Sequence, residues 1–247
     1  MAESLNKETP YDIELKVEGF HWWFAGRRKL LGSLLLSIDF SFEELAIDIG
    51  CSVGSNLKIL TSTGIHAVGL DYSIYALSLA KSRLKLPLIN GDLNQLPVRS
   101  KSVGLIIAMD ILEHLEDDAN GIRELYRVLK NEGTLILTVP AFSFLWGIQD
   151  DVTGHRRRYS KKEISNKLRR GGFDILKSSY FNFFLFFPIF FGRRLIRLFG
   201  LKIESENKIN SPLVNFFLKT VFSLELHVLK RFSFPFGVSI FCIAKKR

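Results

Sequence analysis

Four aspartates recur at spacings that could do chemistry together. Asp48 precedes Gly50 and Gly54 in AIDIGCSVGSN, Asp71 ends HAVGLD, Asp92 stands in NGDLNQLP, and Asp110 leads DILEHLEDD with Glu113 and His114 just behind it. Glycines at 50 and 54 let the backbone approach a ligand with no Cβ in between. A carboxylate at 71 can accept both hydroxyls of a ribose. One at 92 can accept from an amino group on a base while Leu93 packs on the ring. His114 is a candidate base. A second cluster, GHRRRYSKKE (154–163), joins His155 to three arginines and Tyr159. Ser160 and Glu163 form an S-x-x-E capping signal that predicts a helix start at Ser160. Arginine forks fit carboxylate and phosphate oxygens, and a helix N-terminus adds backbone donors. Arg157, Arg158 and Tyr159, with His155, are therefore expected to grip an anionic substrate group. The alternative is a solvated face offset by Asp150 and Asp151.

Those residues need elements to position them. LAIDIG (45–50), HAVGLD (66–71), PLING (87–91), VGLIIAMD (103–110) and GTLILTVP (133–140) are nearly all apolar, as strands covered on both faces should be. Between them, SIYALSLAKSRL puts Leu77, Ala80 and Leu84 on one helical face behind an N-cap at Ser73, and GIRELYRVLK does the same with Ile122, Leu125 and Leu129. This alternation predicts an α/β fold, a doubly wound parallel sheet. Such sheets bind ligands outside the carboxyl ends of their strands, where the four aspartates fall. FDILKSSYF (173–181) and VSIFCIAKK (238–246) read as two more strands, and residues 10–38 as largely helical. A dinucleotide-binding turn would read G-x-G-x-x-G. Here Ser52 and Ser55 replace its second and third glycines, so a ligand without phosphates fits better.

The array resembles the class I S-adenosylmethionine-dependent methyltransferases, in the branch that holds many small-molecule methylating enzymes. VLKNEGTLILTVP is similar to that family's fifth-strand motif. The resemblance runs over roughly residues 40 to 180 and returns at the last strand. It implies a seven-stranded sheet of order 3-2-1-4-5-7-6 with strand 7 antiparallel, and S-adenosyl-L-methionine as cofactor. It further implies that the first motif (Asp48, Gly50, Cys51, Gly54) holds the methionine part, Asp71 the ribose, and Asp92 with Leu93 the adenine, with Tyr72 and Asp110 as further cofactor contacts. Ser52 departs from the family, which usually has glycine there; a serine fits if its φ is negative. The donor is a sulfonium already activated for in-line displacement. Alignment, worth about 7–11 kcal/mol in well-oriented systems, is then the main task, and no metal is expected. An oxygen nucleophile can use a base, for which His114 and His155 are the candidates.

HWWFAGRRKLL and GHRRRYSKKEI are similar to segments of a bacterial and archaeal methyltransferase subgroup with a W-W-F-x-x-R-R start and a G-H-x-R-R-Y segment. That subgroup is associated with surface-glycan and lipid-linked pathways. This resemblance implies that Trp22, Trp23 and Phe24 form part of a lid and that Arg27 reaches the cofactor's carboxylate. The plain alternative is an amphipathic helix packed on the sheet.

At 247 residues, 47% of them hydrophobic, the chain suits one α/β domain with decorations. The expected organisation is a helical lid over 1–40, the sheet domain over 41–181 and 233–247, and a Phe/Arg-rich helical insertion over 182–232, between strands 6 and 7. The net charge of +9 favours anionic partners: nucleic acid, lipid headgroups, or phosphorylated and carboxylated substrates. Two cysteines, with no CxxC and no metal spacing, fit a reducing cytoplasm. MAESLNKETP has no apolar core of the signal-peptide type. In the insertion, the run from Phe183 to Phe191 is shorter than the ~20 residues of a spanning helix. Pro188 interrupts it, and Arg193, Arg194 and Arg197 follow. Aromatics beside arginines suit a segment lying on anionic lipid at the inner membrane face. A helical pair capping the cleft and burying its own aromatics is the alternative, and both can hold at once.

The expected activity is methyl transfer to an oxygen of an anionic acceptor, lipid-linked or of glycan type. A nucleic-acid methyltransferase is a second reading. Against it, MDILEH lacks the N/D-P-P-Y tetrapeptide and no RNA-binding module is appended. A non-catalytic, cofactor-binding scaffold at the membrane is a third. The oligomeric state is not readable.

Overall fold

Seven strands build the sheet: β1 (Ala46–Ile49), β2 (Ala67–Asp71), β3 (Leu88–Asn90), β4 (Val103–Met109), β5 (Leu129–Pro140), β6 (Phe173–Phe181) and β7 (Ser239–Lys246). In the computed structural model, which describes residues 8–41, 43–200, 205–206 and 211–247, they lie in the order β3-β2-β1-β4-β5-β7-β6. The first five pair in parallel, and β7 runs antiparallel to both β5 and β6. This is the expected topology. β1 and β4 are buried along their whole length, which is why their sequences show no polar alternation. β1 pairs with β2 on one side and β4 on the other. The chain direction of the crossovers reverses there, and a crevice opens at the carboxyl ends.

Helices α3 (Ser55–Ser62), α4 (Ile74–Arg83), α5 (Asp118–Val128) and α7 (Lys161–Arg170) accompany the sheet, and the short α6 (Ile148–Thr153) follows β5. Ser73 caps α4 by accepting from Ala76 N, and Ser160 caps α7 by accepting from Glu163 N, as the sequence predicts. One boundary differs. β5 begins at Leu129, directly after α5, and not at Gly133. Val103 pairs with Leu129 and Leu105 with Thr134, so the KNEG segment is an excursion within the ladder, with Glu132 in the left-handed region at φ +63°.

Before the sheet come α1 (Pro10–Val17) and α2 (Trp22–Leu35). They sit differently. α2 sends Leu30, Leu31 and Leu34 into the main core, whereas α1 packs Ile13 and Val17 on Phe24 in a small separate cluster. Thr9 and Asp12 close a capping box at the start of α1. Residues 1–7, the leading part of the lid span, lie outside the described residues.

Two helices join β6 to β7: α8 (Phe186–Leu198) and α9 (Pro212–Leu229). Residues 201–204 and 207–210 of this insertion lie outside the described residues. Pro188 does not interrupt α8. It sits in the first turn, where its missing N–H leaves no bond unmade. α9 packs across α2, and a Cβ added at Gly26 would fall 1.9 Å from the Phe222 ring. Phe222 is fully buried, with its ring 6.1 Å from that of Phe181 and nearly parallel to it. With 18 residues and a mean hydropathy of 1.3, α9 is long and apolar enough to cross a membrane by length and composition. Its buried face, however, carries Glu225, whose carboxylate accepts from the backbone N–H groups of Asn182 and Phe184. Its other side leaves Leu213, Phe216, Phe217 and Leu224 exposed, and α8 exposes Phe187, Phe191 and Leu195.

Candidate active site

A cavity of about 580 Å³ opens at the carboxyl ends of β1, β2 and β4, inside the range of roughly 300–1,000 Å³ usual for ligand pockets. Gly50, Cys51, Asp71, Tyr72, Asp92, Leu93, Asp110, His114, His155, Arg27 and Arg158 reach its wall. Asp48, Gly54, Arg157 and Tyr159 do not.

The turn after β1 forms one end. Gly50 (φ +72°), Ser52 (φ +48°) and Gly54 (φ +86°) all adopt left-handed backbone. Ser52 therefore does not have the negative φ expected of it. Its strain is held by two bonds: its N–H donates to Asp71 Oδ2 at 2.8 Å, and its hydroxyl to Glu14 of α1 at 2.7 Å. A Cβ at Gly50 would lie 2.7 Å from Ile111, so the glycine there is a matter of both conformation and space. Asp71 also accepts from Ser73 N at 2.8 Å. Its carboxylate thus clamps the turn to α4 while standing on the cavity wall, and burial raises its pKa. Asp48 sits one layer below. It is fully buried, accepts from Asn56 Nδ2 at 3.2 Å, and burial pushes its pKa up to about 7. Asn56, not Asp48, reaches the cavity. Gly54 is the N-cap of α3 and packs under Leu84.

Asp92 folds its own loop by accepting from Asn94 N at 2.8 Å, with Leu93 buried beside it. Tyr72 stands largely exposed at the mouth. Asp110, at φ +55°, accepts from Thr138 Oγ1 at 3.0 Å and faces Arg27 Nε at 3.2 Å. Arg27 also donates to the Met109 carbonyl at 3.2 Å. It lines the cavity with its guanidinium held by the β4 terminus.

The opposite end is built by the turn after β4 and by α6. His155 Nδ1 lies 2.8 Å from Asp150 Oδ1, and its Nε2 lies 3.8 Å from Glu113 Oε1. The rings of His114 and His155 meet edge to face at 4.8 Å. Burial, and then the neighbouring His155, push the His114 pKa down to about 4, so its imidazole is neutral at pH 7. Ligand atoms of Glu113, His114 and His155 lie within 4.8 Å of one another. The fold brings these residues together although α5, β5 and α6 intervene between His114 and His155.

Two of the three arginines turn inward, while Arg156 stays exposed. Arg158 Nε and Nη2 grip the two oxygens of Asp150 at 2.8 and 2.9 Å, and both side chains are buried. Arg157 donates to the Leu115 and Glu116 carbonyls and faces Asp118 at 3.4 Å. Tyr159 is fully buried, with its hydroxyl 2.8 Å from Asp118. Arg157 and Arg158 are thus engaged with internal acids, while Arg158 and His155 also reach the cavity wall. The reason is that like charge crowded before a helix N-terminus demands nearby carboxylates, and Asp118 and Asp150 supply them.

Several wall residues with polar side chains were not given a role in the cavity from the sequence, among them Glu14, Asn56, Asp150 and Asn182. Glu14 carries no motif, and Asn56 closes AIDIGCSVGSN without an expected role. Asp150 looked like a surface acid. Asn182, at the end of β6, has φ +57°, and its buried amide has no hydrogen-bond partner. The lid is α1. Besides Glu14 on Ser52, Glu18 bonds Ser55 and Arg83, and Tyr75 donates to Asp12. Trp22 and Trp23 reach the cavity and also pack on Phe222 of α9.

Residues 47–137 match the methyltransferase-domain family. Among curated proteins, the chain is 32% identical to an uncharacterised Methanocaldococcus jannaschii protein over 130 residues, covering 52% of this chain and 49% of that one. It is 25% identical to a "Probable S-adenosylmethionine-dependent methyltransferase" of Mycolicibacterium smegmatis over 132 residues, covering 52% and 51%. The chain spans about half the length of the curated relatives it matches. Among solved structures, a Haloferax volcanii protein assigned as a methyltransferase, in complex with the Trm112 activator, superposes with a TM-score of 0.65 at 16% identity, over 97% of this chain and 99% of that one. A Haemonchus contortus phosphoethanolamine N-methyltransferase in complex with S-adenosyl-L-methionine superposes with a TM-score of 0.58 at 17% identity, over 89% and 52%. At such identities these likenesses speak for the fold.

Proposed function

We propose that this chain, which belongs to the class I S-adenosylmethionine-dependent methyltransferases, moves a methyl group from that cofactor to an oxygen of an anionic acceptor, lipid-linked or of glycan type. The observation that carries the reading is the division of the cavity. Hydrogen-bond acceptors for a nucleoside, Asp71 and Asp92, stand at one end. A histidine pair stands at the other, with Asp110 and Arg27 between them. The residues fit the cofactor: two carboxylates for ribose hydroxyls and an amino group, a glycine turn that admits its backbone-close portion, and Leu93 beside the ring site.

The cofactor supplies an activated methyl on a sulfonium. The protein's part is to bind, align and exclude water. Asp71 holds the turn that shapes the floor, and α1 covers the mouth through Glu14 and Glu18. The neutral His114 and the Asp150-oriented His155 face the acceptor end, where they can take up an acceptor oxygen or its proton. An anionic acceptor is supported by the net charge of +9 and by Arg28 at the cavity wall.

A lipid-linked acceptor at the cytoplasmic face of a membrane is supported by α8. Its Ile189 and Arg193 line the cavity, while Phe187, Phe191 and Leu195 of the same helix face outward and exposed. One helix therefore touches both the reaction cavity and an apolar surface flanked by Arg194 and Arg197. Flotation with anionic liposomes at low salt, followed by transfer of labelled methyl to lipid extracts, tests the reading. The expected result is co-flotation and label in an extractable anionic lipid. Label confined to nucleic acid, or a protein that never floats, contradicts it.

A further inference from the structure

We propose that Glu113, His114 and His155 form a binding site for a divalent first-row transition metal at the acceptor end of the cavity. Their ligand atoms lie within 4.8 Å of one another, with His155 Nε2 3.8 Å from Glu113 Oε1. Metal–nitrogen and metal–oxygen bonds of about 2.0–2.2 Å bring neighbouring ligand atoms to within about 3–3.5 Å. Side-chain rotations on the order of 1 Å close that gap.

An independent observation points to a missing partner. Glu113 is fully buried, and neither carboxylate oxygen has a hydrogen-bond partner. A carboxylate in that position needs a compensating charge or donor. The two arginines that act on it electrostatically are engaged elsewhere, Arg27 with Asp110 and Arg158 with Asp150. The backbone is fixed where ligands would need it: Arg156 N donates to the Glu113 carbonyl at 2.8 Å, and His114 N to the Ile111 carbonyl at 3.2 Å. The outer partner is also in place. Asp150 holds His155 by Nδ1, which leaves Nε2 with its lone pair toward Glu113, the carboxylate–histidine arrangement that orients metal-ligating imidazoles. Two imidazoles and one carboxylate suit zinc, iron, cobalt or manganese and leave coordination positions open.

The site's consequence for chemistry rests on the methyl-transfer reading above; metal binding itself does not. An acceptor hydroxyl bound at an open position would lose its proton to solvent more readily. Its oxygen lone pair then forms the bond to the methyl carbon while the carbon–sulfur bond breaks, its electrons passing to sulfur to leave a neutral thioether. Acceptors with two adjacent oxygens would be preferred, because they can chelate.

The test uses the full chain, stripped with chelator, and no methyl donor. Equilibrium dialysis with cobalt(II) chloride and visible spectroscopy should give one equivalent bound, with ligand-field bands. Zinc(II) should displace it. Glu113→Gln should weaken uptake at least 10-fold, and Asp150→Asn, which removes the charge orienting His155 and also loosens the Arg158 fork, roughly 10–100-fold. Binding of the demethylated cofactor product reports that each variant is folded. Wild-type protein that takes up no stoichiometric cobalt, or uptake unchanged by both Glu113→Gln and Asp150→Asn, overturns the site. A protein that binds metal but transfers no methyl would instead count against the methyl-transfer reading alone.

Discussion

His155 Nδ1 stands 2.8 Å from Asp150 Oδ1, and that same carboxylate holds the Arg158 fork. One buried acid thus pairs Arg158 and aims a histidine at the cavity.

Asp150→Ala should cost about 3–5 kcal/mol in urea denaturation, because it strands the Arg158 charge in the interior. Arg156→Ala, at an exposed position next to it, should stay within about 0.5 kcal/mol. Burial alone would raise the Asp150 pKa, but His155, Arg158 and the Gly147 N–H outweigh it and hold the carboxyl well below its ordinary 3.8. Its stabilisation is therefore complete above that value and is lost as pH falls below it. Unfolding measured between pH 5 and about 2 should be less steep in Asp150→Asn than in the wild type.

Glu14 on α1 faces Ser52, Arg27, Glu18 and Asp71, and burial raises its pKa above the usual carboxylate range. A raised carboxyl favours the closed lid while neutral, and closure loses ground as pH rises through that value. Dissociation of the cofactor product should therefore quicken with rising pH. In Glu14→Gln that dependence should flatten, as read by stopped-flow fluorescence of Trp22 and Trp23.

Glu225 accepts from Asn182 N and Phe184 N beneath the insertion. Burial pushes its pKa up to about 7 against those bonds. Its contribution to stability is full below its ordinary 4.5 and declines as pH rises through about 7. Glu225→Gln should remove that decline. Glu225→Ala should cost about 1–3 kcal/mol for each stranded N–H.

Gly26→Ala places a methyl where the Phe222 ring lies. The ring is enclosed by Phe181, Trp22 and Trp23, so the loss should be about 1–3 kcal/mol by overpacking. Phe222→Leu in the same chain should recover part of it, measurable as a double-mutant cycle.

The sheet was legible because parallel strands leave apolar runs and their helices leave a helical period. Asp71, Asp92 and Asp110 were legible because strand ends in such sheets meet at one crevice. What failed was long-range pairing. The sequence offers Asp150 as an offset to the run, but nothing local says that Arg158 takes it in a buried fork or that Tyr159 meets Asp118. Ser52 failed differently. Its positive φ is sustained by Asp71 and Glu14, partners that no reading of the turn alone supplies.

Calorimetric titration with the demethylated cofactor product tests the central claim most directly. The account predicts one site per chain. It also predicts a loss of about 10–100-fold in Asp71→Ala, the scale of one charge-assisted hydrogen bond at roughly 1.5–3 kcal/mol. Absence of heat and of binding in the wild type, or equal affinity in Asp71→Ala, would contradict it.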